Sequence, residues 1–176
     1  FSHAASPWIV SQPFGGATQN LFKVHAIDAG AGVSTLYKLS VENIAPSTDP
    51  ASQYPSFDLV VRKWSDNDAA PVYLEQWRGL NLNPSDDRYV AKVIGNQHSY
   101  FDFDRGPTAQ KIVVDGDYAN ASNYIRVEMD PGVDSGEADP TAMPVGIRGA
   151  FHLQTAGTAP LAAPVASSAR SPCVSR

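Results

Sequence analysis

Hydrophobic and polar residues alternate with a period of two along much of this chain, the spacing of strands that bury one face. Over residues 21–28, Phe22, Val24 and Ala26 share one side while Lys23 and His25 fall on the other. Ala29-Gly30-Ala31-Gly32 offers a flexible turn, and over residues 33–44 Thr35, Tyr37, Leu39 and Val41 alternate with Ser34, Lys38, Ser40 and Glu42. Together the two runs predict an antiparallel hairpin. Residues 45–56 contain three prolines among polar residues and read as a loop. Residues 57–64 and 72–77 predict two more strands, joined by the polar turn Ser65-Asp66-Asn67-Asp68.

One helix is expected, over about residues 85–94. Asn83-Pro84-Ser85-Asp86-Asp87 has the composition of a helix start, Tyr89, Val90, Val93 and Ile94 fall at helical spacing, and Gly95 suits a stop. Strand patterns resume at residues 99–103, 111–114 and 124–129. Residues 130–142 are acidic, hold Gly and Pro, and read as a long exposed loop; residues 145–153 predict a last strand. These elements divide into an N-terminal arm or edge strand (1–19, around Trp8-Ile9-Val10), a β domain (20–154) and an Ala/Pro/Ser-rich linker or disordered tail (155–176). Strand count, one helix and no strand–helix alternation predict a mainly β fold, an antiparallel β-sandwich.

Composition narrows the function classes. The chain has 176 residues, 43% of them hydrophobic and 10% aromatic, enough for a core that needs no staple. Its net charge of −5 and the lack of a basic stripe exclude nucleic acid as the expected partner. No run approaches the ~18 apolar residues of a membrane-spanning helix, so no membrane partner is expected either. Cys173 is the only cysteine, which excludes an internal disulfide. The chain opens on Phe1 without a leader-like run, and we expect it to be a piece of a longer polypeptide.

Motifs for chemistry are missing. There is no G-x-S-x-G and no phosphate-binding G-x-x-x-x-G-K-[ST]; Gly30-Ala31-Gly32-Val33-Ser34-Thr35 lacks the third glycine of a dinucleotide loop. His3, His25, His98 and His152 are scattered, with no pair at metal-ligand spacing. Asp115-Gly116-Asp117 with Asn120 has some calcium-loop character but no closing glutamate, and a turn between strands explains it more simply. Asp102 and Asp104 flank Phe103 as carboxylates on one side of a strand end, pointing to water. Asn120-Ala121-Ser122 matches the glycosylation acceptor pattern at chance level. Trp8, Trp64, Trp77, Tyr73 and Tyr89 could line a carbohydrate groove, although core packing is the commoner use of such residues. We expect no catalytic, cofactor-binding or metal-binding residues, no cofactor and no enzymatic activity.

Three segments in order carry a family resemblance. They are Phe57-Asp58-Leu59-Val60-Val61-Arg62, Leu74-Glu75-Gln76-Trp77-Arg78-Gly79-Leu80-Asn81-Leu82-Asn83-Pro84, and Arg88-Tyr89-Val90-Ala91-Lys92-Val93-Ile94-Gly95. This succession resembles the β-sandwich domain of the tail sheath proteins of contractile-tailed bacteriophages. Leu21-Phe22-Lys23-Val24-His25-Ala26 and Tyr124-Ile125-Arg126-Val127-Glu128 fit its flanking strands, so the resemblance spans about residues 20–130. It implies a structural subunit of a helical sheath whose partners are other sheath subunits and the tail tube protein, located in the virion and, during assembly, in the host cytoplasm. Whole sheath proteins are several times longer, and the Ala/Pro/Ser segment has no counterpart in them. The other reading is a non-catalytic sandwich that binds carbohydrate or a partner protein through its loops. An acidic module with long polar loops is expected in a surface-exposed part of the sheath lattice and not facing the tube, so charge reversal at Asp130, Asp134, Glu137 and Asp139 is expected to leave assembly intact.

Overall fold

A computed structural model describes residues 3–13, 16–147 and 154–155. The strands are β1 (His3–Ala5), β2 (Ile9–Val10), β3 (Asn20–Ala29), β4 (Tyr37–Ala45), β5 (Ser56–Lys63), β6 (Tyr73–Leu80), β7 (His98–Asp102), β8 (Lys111–Asp115), β9 (Ile125–Met129) and β10 (Gln154–Thr155). Two short helices join them, α1 (Val90–Ile94) and α2 (Pro131–Asp134). As expected, the fold is mainly β, with antiparallel sheets packed around one core. The first sheet is centred on β3, the second is β4-β5-β6, and β7-β8 forms a ribbon of its own.

β3 is paired along both edges. His25 faces Ala5 of β1 and Arg126 of β9, and Phe22 faces Ile9 of β2 and Met129 of β9. β1 and β2 therefore share one edge and β9 takes the other. β10 adds outside β1. The hairpin expected from residues 21–44 does not form, because β3 has no free edge for β4. A 3₁₀ turn at Ala31–Thr35 instead carries the chain into the second sheet. Phe22, Val24 and Ala26 of β3 are buried against Tyr37, Leu39 and Val41 of β4 and Phe57, Leu59 and Val61 of β5. The Phe22 and Phe57 rings stack across the two layers with centroids 5.7 Å apart. Tyr37 adds a polar tie, its hydroxyl donating to the Tyr124 carbonyl at 3.0 Å.

The helix is shorter than its sequence suggests. Asn83 and Asp86 accept hydrogen bonds from the backbone N–H groups of Ser85 and Arg88, so these residues close Asx turns instead of capping a helix. Backbone bonds from Asn81 N–H to the Arg88 carbonyl and from Val90 N–H to the Asn81 carbonyl close the loop. Helical structure begins only at Val90. Val90, Ala91 and Ile94 are buried, and Gly95 then turns with φ +107° while its carbonyl accepts from Val127 N–H of β9.

The acidic segment 130–142 is not simply an exposed loop. Asp130 caps α2 by accepting from Gly132 N–H, Val133 and Ala142 enter the core, and Asp134 accepts from the buried Tyr89 hydroxyl at 2.9 Å. Charge reversal at Asp130 and Asp134 therefore removes packing anchors, and tolerance there is not expected. Of the last expected strand, Ile147 makes an isolated bridge to Val41, with Pro144 just before it bridging to Ser11, and residues 148–153 lie outside the described residues. The linker or tail at 156–176 lies outside them too.

The outer face of the second sheet is the largest departure from alternation. Lys38, Ser40, Asp58, Val60 and Arg62 all point away from the shared core, yet all are buried. The Arg62 guanidinium binds Asp66 through Nε and Nη2, both at 2.9 Å, and Asp68 through Nη1 at 2.8 Å. Asp66 also takes Lys38 Nζ at 2.7 Å and Val72 N–H at 2.7 Å. Burial works against its ionisation, but the bonds from Arg62, Lys38 and Val72 outweigh it and hold the carboxyl well below the usual carboxylate range.

Two outcomes follow. Asp66→Asn leaves buried Arg62 with Asp68 alone as its counter-charge and takes the carboxylate from Lys38, and it should cost about 3–5 kcal/mol in denaturant unfolding. Because the folded state keeps Asp66 ionised where the unfolded chain protonates it, wild-type stability should fall as pH drops below about 4, and the Asn variant should lack that portion of the fall. Gly95→Ala places a Cβ 2.3 Å from Asn120 Cα at a positive φ. It should lower stability by more than ~2 kcal/mol.

Candidate functional site

A polar cleft of about 440 Å³ lies between β9, the base of the β7–β8 ribbon and the turn that follows β8. Asn96, His98, Asp115, Asp117, Arg126, Glu128 and Asp134 line it. Strand alternation explains the β9 contribution. Ile125 and Val127 turn into the core, which leaves Arg126 and Glu128 on the outer face beside His25 and Lys23 of β3. Gly116 makes the turn possible: with φ +101°, a Cβ there would fall 2.6 Å from the Asn96 carbonyl oxygen. Asn96 Oδ1 accepts from Tyr118 N–H and Asn120 Nδ2 donates to the Gln97 carbonyl, both at 2.8 Å. The Asp115-Gly116-Asp117 stretch is thus a packed turn, and Asn120 is engaged in holding it.

Three of the four histidines converge near this cleft, which their sequence spacing concealed. His3 and His98 meet edge to face with centroids 5.4 Å apart, and His98 stacks on Tyr100 at 5.4 Å. His25 sits opposite Arg126, with Nε2 2.5 Å from Glu128 Oε2. Burial pushes both His25 and His98 below the ordinary imidazole value, with the Arg126 charge acting the same way. For His25 these outweigh the opposing pull of Glu128, whose carboxylate accepts from Nε2. Burial also lowers the Arg126 guanidinium, against Glu128 and Asp115. His152 lies outside the described residues.

The arrangement offers mixed charge and little reactive chemistry. Among the described residues the cleft lining holds no Ser, Thr, Cys or Lys side chain. Among the described residues no group of three or more His, Cys, Asp or Glu side chains is placed to hold a metal ion. Asp102 and Asp104 sit at the ribbon tip, where Asp102 accepts from Arg105 Nε at 2.6 Å and from Asp104 N–H at 3.2 Å. The five aromatics weighed as a sugar platform have mostly other work. Tyr89 is buried, Trp77 packs on the core, and Trp8 lies under Lys23 Nζ at 4.3 Å.

Tyr73 is exposed on β6, and the other exposed aromatics among the described residues lie on the ribbon: Tyr100, Phe101 and Phe103, with Ile112 and Val114. The sequence signal for them was the lack of a polar side in Tyr100-Phe101-Asp102-Phe103 and Ile112-Val113-Val114, a pattern that reads equally as an interior strand. Comparison with protein families, curated proteins and solved structures gives no match to this chain.

The imidazoles supply a test of the cleft geometry. Since the folded state disfavours charged His25 and His98, stability should decline as pH falls from about 6.5 toward their lowered values and then level off. His25→Gln with His98→Gln should flatten that part of a stability–pH curve, and ring-proton titrations by NMR should place both midpoints below that of a free imidazole.

Proposed function

We propose that this chain is a structural assembly module, a segment of a contractile phage tail sheath, whose partners are other sheath subunits and the tail tube protein. The observation that carries the reading is where the family-like residues sit. Those of the three ordered segments are mutual anchors of the fold, while Arg126 and Glu128 of the flanking strand β9 line the cleft. Asp58 accepts from Gly79 N–H and from Asn43 Nδ2, both at 2.8 Å, and so fastens irregular stretches of both neighbouring strands. Glu75 accepts from Ser122 Oγ at 2.5 Å and Asn123 N–H at 3.0 Å, tying β6 to the entry of β9. Arg88 reaches back to the carbonyls of Arg78 and Gly79. Val90, Ala91 and Ile94 seat α1 in the core.

A chain whose distinctive residues are spent on its own framework, with a cleft poor in nucleophiles and an apolar ribbon facing water, suits lattice building better than turnover. In such a lattice, contraction exchanges many weak contacts between neighbours. Negative-stain electron microscopy of the polypeptide that carries this module, overexpressed, should show hollow striated tubes. A monodisperse species at high concentration and in high salt overturns the reading. The alternative, a sandwich that binds carbohydrate or a partner protein, then moves ahead.

A further inference from the structure

Among the described residues two apolar surfaces remain uncovered, and they differ in kind. The first is one face of the β7–β8 ribbon. Register and alternation put Ser99, Phe101, Ile112 and Val114 on the same side, and Phe103 extends it with its ring 4.6 Å from that of Phe101. Phe101, Phe103, Ile112 and Val114 are 43%, 72%, 68% and 54% exposed. A two-stranded ribbon is marginal in water without a packing partner. Among the described residues no strand pairs with its outer edges.

The second surface is one end of the β4-β5-β6 sheet. The Leu36 carbonyl accepts from Trp64 N–H at 3.0 Å, and Lys63 N–H donates to the Val72 carbonyl at 2.9 Å. Leu36 and Val72 therefore flank the 63–64 segment from either side, and both are exposed. Tyr73 and Leu74, also exposed, continue the patch along the outer strand β6.

Charge chooses the occupant. The four ribbon side chains expose about 400 Å² together, a size at which a patch is commonly functional. Neither a ribbon docked on the sheet end nor two ribbons joined face to face would bury more than about 800 Å², short of the ~1,200 Å² of a stable specific interface. The face-to-face pairing also opposes two acidic ribbons, each with Asp102, Asp104, Asp115 and Asp117 against Arg105 and Lys111. Lys63, in contrast, is exposed at the second patch and makes no ion pair among the described residues.

We propose that the apolar face of the β7–β8 ribbon docks on the Leu36–Trp64–Val72 end of the β4-β5-β6 sheet of a second copy of this chain. The contact joins unlike patches, so it is head-to-tail, weak when single, and free to repeat. It rests on the assembly reading above for the identity of the occupant.

Sedimentation velocity over a concentration series tests it, with Phe103→Ser/Ile112→Ser as the ribbon variant and Leu36→Ser/Val72→Ser as the sheet variant. All four sites are exposed, and circular dichroism with thermal melting checks that each variant folds. The wild-type mass average should rise with concentration past the dimer, and each double variant should associate at least about tenfold more weakly. An equimolar mixture of the two variants should recover association that stops at the dimer, because each retains one intact surface. A wild-type chain that stays monomeric to about 1 mM overturns the proposal. So does a mixture that fails to associate, or a wild-type dimer indifferent to the sheet variant. Head-to-tail chains without tubes would sink the sheath reading and keep this contact. Tubes that persist in the ribbon variant would do the reverse.

Discussion

A guanidinium sealed from water dictates how the second sheet is completed. Arg62 projects from the outer side of β5, where strand alternation promises solvent, and its side chain has no exposed surface. A charge in that position has to be surrounded by acceptors before the sheet can close over it. Residues 64–72 fold back to supply Asp66 and Asp68, and the Asp66 carboxylate then takes Lys38 from β4 and the backbone N–H of Val72 at the threshold of β6. One ion network thereby sets the path of the β5–β6 turn, the entry of the edge strand and the burial of a lysine. The apolar patch that Val72 helps to form owes its position to the same network.

Polar side chains play this framework part throughout the molecule. Asp58 and Glu75 bridge segments distant in sequence by accepting backbone N–H groups, Asp134 reaches the Tyr89 hydroxyl, and Asp130 caps its own helix end. A fold with short strands and register shifts in several of its ladders has many unpaired backbone groups to satisfy. Side chains that satisfy them fix the geometry of bends that apolar packing, which is indifferent to direction, leaves loose.

What could be read from the sequence follows this division. The strand at β3 was legible because its apolar side meets the core and its polar side meets water, so its period reports burial directly. Its partners were not legible, since edge pairing depends on β1, β2 and β9 reaching it first. The same period misassigned Lys38, Ser40 and Arg62, whose burial comes from a loop and not from their own strand. At residues 83–87 capping chemistry and turn chemistry use the same residue types, and only the backbone bonds of Asn81 decided between them. The cleft was hidden because His98, Asp115 and Arg126 come together only through the ribbon and the Gly116 turn. The ribbon's open apolar face was hidden because exposure leaves no mark on an apolar run.

The central place of β3 also has a kinetic side. Its first edge is taken by residues that precede it, but its second waits for β9, with Phe22 pairing only when Met129 arrives. On a ribosome, therefore, β3 spends the synthesis of most of the described chain with one edge open, while β4, β5 and β6 can already zip together from neighbouring segments. Loop-closure entropy makes such non-local pairing slow, and an open apolar strand is where nascent chains find wrong partners. A long-range sheet built last on a local sheet built first is a fold whose yield depends on the time between those two events.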